Sequence, residues 1–262
     1  MNRLARIGAA TREGWHRSLR LAALSAGLLG LAVRRSRWPR TTRNVLARQL
    51  LFTGVFAARF IGIVAVAVGL TVVLQAKVWL AHAGQSALVG PLLVAAIVRE
   101  LGPLLVNFIV IGRSGTAIAA ELASMRVAGE VSVLDAQGLD PMAYLVLPRA
   151  VGSALSVLCL TVLFIALSLA SGFLGGWLLG AQMGPVGAFL DSVFGAMNPA
   201  DVLNLLAKSL APGWLMAVIC ADEGLSVRGS LTDVPQAASR AVTRSVAALF
   251  IVSAFVSILT YL

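Results

Sequence analysis

The stretch RELGPLLVNFIVIGRSGTAIAAELASMR, residues 99–126, holds the most informative pattern in this chain. A charged pair, Arg99 and Glu100, interrupts an apolar run, and Gly102-Pro103 follows it directly. Ionised groups are costly in lipid and persist only where they face a cavity or a partner. The stretch therefore predicts the interior of a membrane protein, with a partner or a polar cavity for each charge.

The composition of the whole chain also favours a bilayer. Hydrophobic residues make up 59% and charged residues 12% of its 262 residues, against roughly 25% charged in soluble domains. The chain can supply about five or six spans of roughly 20 apolar residues each. The net charge is +10, but eleven of the 21 basic residues precede Gln49 and show no aromatic stacking pattern. Such a terminus is typical of a membrane surface, and we do not expect nucleic acid as a partner.

We expect an all-α polytopic membrane protein with an N-terminal interfacial amphipathic helix at about residues 11–33 and five transmembrane helices. Residues 1–48 form the basic interfacial helix and its linker, and residues 49–262 form the transmembrane domain. The predicted spans are 54–75, a helix from 87 to 112 that projects into the cytosol, 150–174, 202–221 and 243–262. A glycine-rich irregular turn is predicted at 172–187.

The basic residues fall mainly on one side of these predicted spans, which places the N-terminus in the cytoplasm and the C-terminus outside it. On the opposite side we expect only Lys77 and, near a helix end, Lys208. Arg240 and Arg244, at the start of the last span, are interpreted as ordinary cytoplasmic anchors.

The side chains of Arg99 and Glu100 point about 100° apart on a helix, so they cannot pair well with each other. Two interpretations stay open. Each charge forms a buried ion pair with a facing helix, or the two line a polar pocket or its gate. Gly102-Pro103 is expected to loosen the helix, and irregular backbone at membrane depth is tolerated only inside protein or beside water, which favours the pocket.

Two further features are candidates for interaction. Gln75, near the outer end of the first span, is expected to hydrogen-bond a neighbouring helix. Between the second and third spans, a short amphipathic segment at 127–139 either lies on the membrane or docks into a groove of a cytoplasmic protein. Its apolar face comprises Val127, Val131, Leu134 and Gly138, and Glu130 and Asp135 lie elsewhere on it.

The sequence shows no arrangement for bond-making chemistry. Its two histidines, His16 and His82, are far apart and have no metal-ligand spacing, and no phosphate-binding glycine loop or catalytic carboxylate pair occurs. We expect neither an enzyme nor a metal or cofactor in this chain. Any energy that drives it would come from another subunit.

The chain resembles the MlaE/YrbE-type permeases of ABC lipid transporters, which serve MCE-protein systems. The resemblance rests on four blocks in order, RELGPLL (99–105), GRSGTAIAAELASMR (112–126), GLDPMAYLVLPR (138–149) and SRAVTRSV (239–246). It covers roughly residues 45–262.

This resemblance implies a homodimer in the bacterial inner membrane that holds phospholipid or a related lipid in a cavity between its subunits. It also implies three partners: a cytoplasmic ABC ATPase dimer that carries ATP and Mg, a periplasmic MCE-domain protein, and a small cytoplasmic accessory protein. Gln75, Arg99 and Glu100 match the family's cavity residues. The segment 127–138 matches its coupling helix, with Glu130 as the acidic residue.

Transport between the inner membrane and the MCE protein, in the service of outer-membrane lipid asymmetry, is thus the leading hypothesis. Two rivals remain: a non-transporting scaffold that anchors the partners, and an exporter of solvents or hydrophobic drugs. The scaffold predicts that neutralising Glu100 leaves function intact.

Overall fold

The structure is a computed structural model that describes residues 19–32, 40–85, 88–179, 185–227 and 229–261. Every regular element within these ranges is a helix. We label the helices α1 (Leu19–Ala32), α2 (Arg43–His82), α3 (Val89–Val127), α4 (Glu130–Ala136), α5 (Met142–Leu178), α6 (Val186–Gly195), α7 (Pro199–Leu225) and α8 (Leu231–Thr260).

Five of these helices, α2, α3, α5, α7 and α8, are long and apolar enough to cross a membrane. Helix α1 is a shorter apolar helix whose Leu28 is buried against the main core. The predicted fold class is therefore confirmed: an all-α multi-pass membrane protein with a shorter N-terminal apolar helix. The rest of the predicted interfacial segment, residues 11–18 and 33, lies outside the described residues, and the division after residue 48 stays a prediction.

Several helices extend by a few turns beyond the predicted spans. Helix α5 begins at Met142 instead of after Arg149, and α8 begins at Leu231 instead of near 243. Residues 43–48, predicted as linker, already belong to α2. Several charged residues lie within a helix because side chains of other helices pair with them; Arg149, for instance, is buried and bonded to Glu121.

The glycine-rich turn predicted at 172–187 is also wrong for most of its length. Helix α5 continues to Leu178, and the short apolar helix α6 begins at Val186; residues 180–184 lie outside the described ranges. Gly172 serves close packing, because a Cβ there would overlap the side chain of Val73 on α2. Small residues at such positions let membrane helices approach closely.

The interface between α2 and α5 depends on close packing at a second glycine, Gly69. A Cβ at Gly69 would overlap the carbonyl oxygen of Ser168, whose hydroxyl donates to the Ala65 carbonyl at 3.0 Å. The backbones of α2 and α5 are therefore in direct contact along this stretch.

Helix α3 runs without interruption past Gly102-Pro103, so the loosening predicted there takes another form. Two π-helical stretches, Val94–Leu101 and Ile111–Gly115, lie within the helix, and the first contains the charged pair. π-Helical turns widen the backbone locally and are frequent at functional sites.

Candidate functional site

The charged residues of α3 meet polar side chains of α7 and α8 in a group that we call the seam cluster, comprising Arg99, Glu100, Asp201, Lys208 and Ser257. Lys208 Nζ lies 2.7 Å from Glu100 Oε1, and the Ser257 hydroxyl donates to the same oxygen at 2.9 Å. The Lys208 side chain is 1% exposed and the Glu100 side chain 47% exposed. The cluster is therefore closed on the lysine side and open at the glutamate.

Arg99 forms the second ion pair of the cluster, with Asp201. Arg99 Nη2 donates to Asp201 Oδ2 at 3.1 Å, and Arg99 Nε lies 2.8 Å from Asp201 Oδ1. A hydrogen bond between two charged groups is stronger than one between neutral groups. Asp201 also accepts from the main-chain N–H of Asn198 at 2.9 Å and thereby caps the start of α7. The pair thus ties α3 to the first turn of α7.

Two prolines explain how the main chains of α3 and α7 join. Proline has no N–H for the carbonyl four residues earlier, so Pro103 leaves the Arg99 carbonyl free and Pro212 leaves the Lys208 carbonyl free. Lys208 Nζ donates to the Arg99 carbonyl at 3.0 Å, and Asn107 Nδ2 donates to the Lys208 carbonyl at 3.0 Å. Each freed acceptor is satisfied by a side chain of the other helix.

The structure brings together only part of the predicted lipid-cavity residues. Arg99 and Glu100 lie in the cluster, each with an ion-pair partner on another helix, whereas Gln75 is exposed on α2 and none of the contacts above reaches it. Neither of two cavities of 390 and 360 Å³ is lined by any of the three. That they line a lipid cavity stays a prediction.

Sequence reasoning misplaced or missed the partners of this pair. Lys208, expected at an outer helix end, is buried within α7, and Asp201 and Ser257 were not singled out. A signal for Lys208 was present: a lysine in an apolar helix, four residues before Pro212. A charge beside a freed carbonyl is a candidate for contact with a neighbouring helix.

A second ionic group lies at the C-terminal end of α7. We call this end of the bundle the basic end, because Arg20, Arg240 and Arg244 lie there. Asp222 and Glu223 are buried there, and Arg244 of α8 pairs with both. Arg240 lies 3.3 Å from Glu223, and Arg20 of α1 lies 3.1 Å from Asp222. The interpretation of Arg240 and Arg244 as ordinary anchors is wrong, because they neutralise buried acids.

The predicted coupling helix is present as α4, between the second and third spans. Gly129 and Gly138 bracket it with φ of 80° and 74°, a left-handed conformation that favours glycine at a helix end. Val131 is buried, and Leu134 packs against the main core of the chain itself. The apolar face is therefore occupied within the chain.

The remaining predicted residues of this segment divide between the interior and the surface. Val127 packs against a small cluster that includes Ala123. The exposed residues of the segment include Glu130, Val133, Asp135 and Gly138, together with Ser132, Ala136 and Gln137. A partner protein would therefore meet the polar side of α4.

The chain is similar to known membrane proteins over most of its length. A probable ABC transporter permease protein of Synechocystis is 31% identical over 249 residues, 94% of this chain and 92% of the relative. One from Rickettsia felis is 30% identical over 204 residues, 77% of each chain. The chain is a membrane permease of the ABC transporter class. It belongs to the family described as Permease MlaE, whose sequence model matches residues 46–259.

A further relative comes from a plant. The chloroplastic protein TRIGALACTOSYLDIACYLGLYCEROL 1 of Arabidopsis thaliana is 31% identical over 210 residues, 80% of this chain and 59% of the relative. That name refers to a glycolipid.

Proposed function

We propose that this chain is the transmembrane subunit of an ABC transporter that moves phospholipid, or a related lipid, between the bacterial inner membrane and a periplasmic MCE-domain partner. A separate ATPase subunit supplies the energy. The observation that carries the proposal is Glu100, a carboxylate 47% exposed on a membrane-spanning helix. An ionised group with that exposure is costly against lipid tails, so a polar space beside it is expected.

A second copy of the chain would provide that space. Glu100 accepts from Lys208 and Ser257, so its open side lies near α3, α7 and α8. Helices α2 and α8 are the least buried spans: 28% and 17% of the residues in their most apolar stretches are buried. A two-fold dimer uses the same surface of both copies, so it would place two such faces against each other and could enclose a polar space for lipid beside Glu100.

The ATPase is proposed to act through α4, whose position between α3 and α5 links it to two spans. A push on the outer side of α4 reaches the core directly through Val131 and Leu134. The seam cluster ties α3 to α7, so movement of α3 would carry the cavity wall with it.

The test is lipid transfer by the reconstituted complex of permease, ATPase and MCE protein. Glu100→Gln removes the charge but keeps an oxygen for Lys208 and Ser257. We expect transfer of fluorescent phospholipid to the MCE protein to fall at least tenfold while the complex still assembles. Asp191→Asn is the matched control, because Asp191 is an exposed acid on α6 away from the cluster.

Glu100→Gln could lower transfer merely by unfolding the chain, so a second variant is needed. Glu100→Gln with Lys208→Met removes both charges and leaves neither unpaired. A folded double variant that assembles but does not transfer lipid would support the proposal. Unchanged lipid transfer in both variants would contradict it and would favour the scaffold.

A further inference from the structure

A cavity of about 390 Å³ at the basic end lies between the beginnings of α2 and α5 and the end of α3. Its wall combines Arg48, Phe52, Ala117, Glu121 and Arg149 with a few further residues of α2 and α3. The cavity is distinct from the seam cluster. Glu121 lies roughly 31 Å along α3 from Glu100, at about 1.5 Å per residue.

Arg149 is a built-in part of this wall. Its side chain is 6% exposed; Nη1 donates to the Leu145 carbonyl at 2.7 Å and Nη2 to Glu121 Oε1 at 2.8 Å. These bonds hold the guanidinium in one orientation beside the cavity. An oriented arginine suits the oxygens of a phosphate group.

Arg48 supplies a second positive charge to the wall. It is exposed, and within the described ranges it has no ion-pair partner. Two arginines against the single acid Glu121 leave a net positive charge around the cavity. An anion with an apolar attachment would match this lining, because its apolar part is formed by Val45, Phe52, Ala117 and Ile118.

The cavity lies where lipid headgroups are expected. Helix α2 has 40 residues, about 60 Å, which is about twice the hydrocarbon thickness of a bilayer. Its first turns carry Arg43 and Arg48, and because charged side chains are costly in lipid we expect these turns to extend beyond the apolar layer. Phe52, Val55 and Phe56 follow on the same helix with exposed side chains. A molecule with its anion at Arg48 could lay apolar chains along these residues.

We infer that this cavity binds the phosphate headgroup of an anionic phospholipid from the leaflet at the basic end, with the acyl chains against Phe52 and Phe56. Basic pockets between membrane helices are typical sites for anionic headgroups. The inference does not depend on transport, on an ATPase or on a lipid at Glu100. It adds a binding site at the opposite end of α3.

The test is native mass spectrometry of the delipidated full-length chain in detergent, titrated with phosphatidylglycerol. Arg48→Gln is expected to weaken binding about fivefold, the effect of one arginine near an anionic surface. Arg43→Gln is the matched control, because Arg43 is exposed on the same helix and does not line the cavity. It is expected to change binding less than twofold.

A second variant tests the cavity itself without changing charge. Ala117→Phe fills the space. It should abolish tight binding of phosphatidylglycerol, that is, the binding that Arg48→Gln weakens, while the melting temperature of the chain stays unchanged. Ala67→Phe, at an exposed position of α2 outside the cavity, should leave binding unaltered. Phosphatidylcholine should bind at least fivefold more weakly than phosphatidylglycerol.

Three results would overturn the inference. Equal losses in Arg48→Gln and Arg43→Gln would show diffuse attraction without a site. Retention of tight binding in a folded Ala117→Phe variant would place the lipid elsewhere. Displacement of the lipid by an equal concentration of inorganic phosphate would assign the cavity to a free anion. Because no transport is measured, a failure here leaves the proposed function untouched.

Discussion

Lys208 and Glu100 form an ion pair of 2.7 Å in which the lysine is 1% exposed and the glutamate 47% exposed. The two halves of the pair are therefore not equivalent. Removal of the glutamate leaves a buried positive charge without compensation, whereas removal of the lysine leaves a carboxylate that is half open to its surroundings. Buried charges that lose their partner destabilise strongly, typically by about 3–5 kcal/mol.

This asymmetry predicts the order of stability among variants. Glu100→Gln should lower the melting temperature more than Lys208→Met, which loses hydrogen bonds worth about 1 kcal/mol each. The double variant should be more stable than the sum of the single losses predicts, because the two residues are in contact. Thermal unfolding in detergent measures all three. Equal losses for the single variants would mean that Lys208 reaches solvent.

The polar side of α4 is expected to bind the ATPase. Val133 is 56% exposed there, so Val133→Asp should abolish co-purification of the ATPase without a change in the stability of the permease alone. Leu134→Asp should instead destabilise the permease itself, because Leu134 packs on the core. Val186→Asp makes the same change at a similarly exposed valine (54%) of α6, outside this segment, and is the control that should leave ATPase recovery unaltered. Normal recovery of the ATPase with Val133→Asp would show that this side of α4 does not bind it.

The close interface between α2 and α5 predicts opposite effects on stability at two glycines of α2. Gly69→Ala should cost about 1–3 kcal/mol, because the new Cβ overlaps the Ser168 carbonyl and the backbones must separate. Gly62→Ala should be neutral or slightly stabilising, since its Cβ would meet only Leu167 Cδ1 at 3.5 Å and alanine favours the helix. Melting temperatures of the two variants decide the matter. An unchanged melting temperature in Gly69→Ala would show that α2 and α5 can separate without loss of stability.

The acid pair at the basic end predicts unequal roles for its arginines. Arg244 contacts both Asp222 and Glu223 and is 23% exposed, while Arg240 contacts Glu223 alone and is 53% exposed. Arg244→Met should therefore destabilise the chain more than Arg240→Met, which we expect to cost under about 1 kcal/mol as for exposed pairs. Unfolding of the two variants side by side gives the comparison. The reverse order would mean that Arg240 carries the neutralisation.

Much of the fold follows from patterns along the chain. The number of spans follows from apolar length, because each crossing needs about 20 residues whatever its neighbours are. The short helix α4 follows from its apolar spacing. The span boundaries did not follow, because a charge looks like a helix end until its partner is known. Arg149 and Arg244 lie inside helices since Glu121 and Glu223 neutralise them there.

By itself, the sequence determined that Arg99 and Glu100 had to find partners, since two adjacent charges on a helix cannot satisfy each other and lipid cannot solvate them. Only the tertiary structure decided that these partners are Asp201 and Lys208, about a hundred residues away along the chain. It also decided that Glu100 stays half open while Lys208 is enclosed. The physical reason is that periodicity defines the faces of one helix, whereas the packing of several helices selects which faces meet.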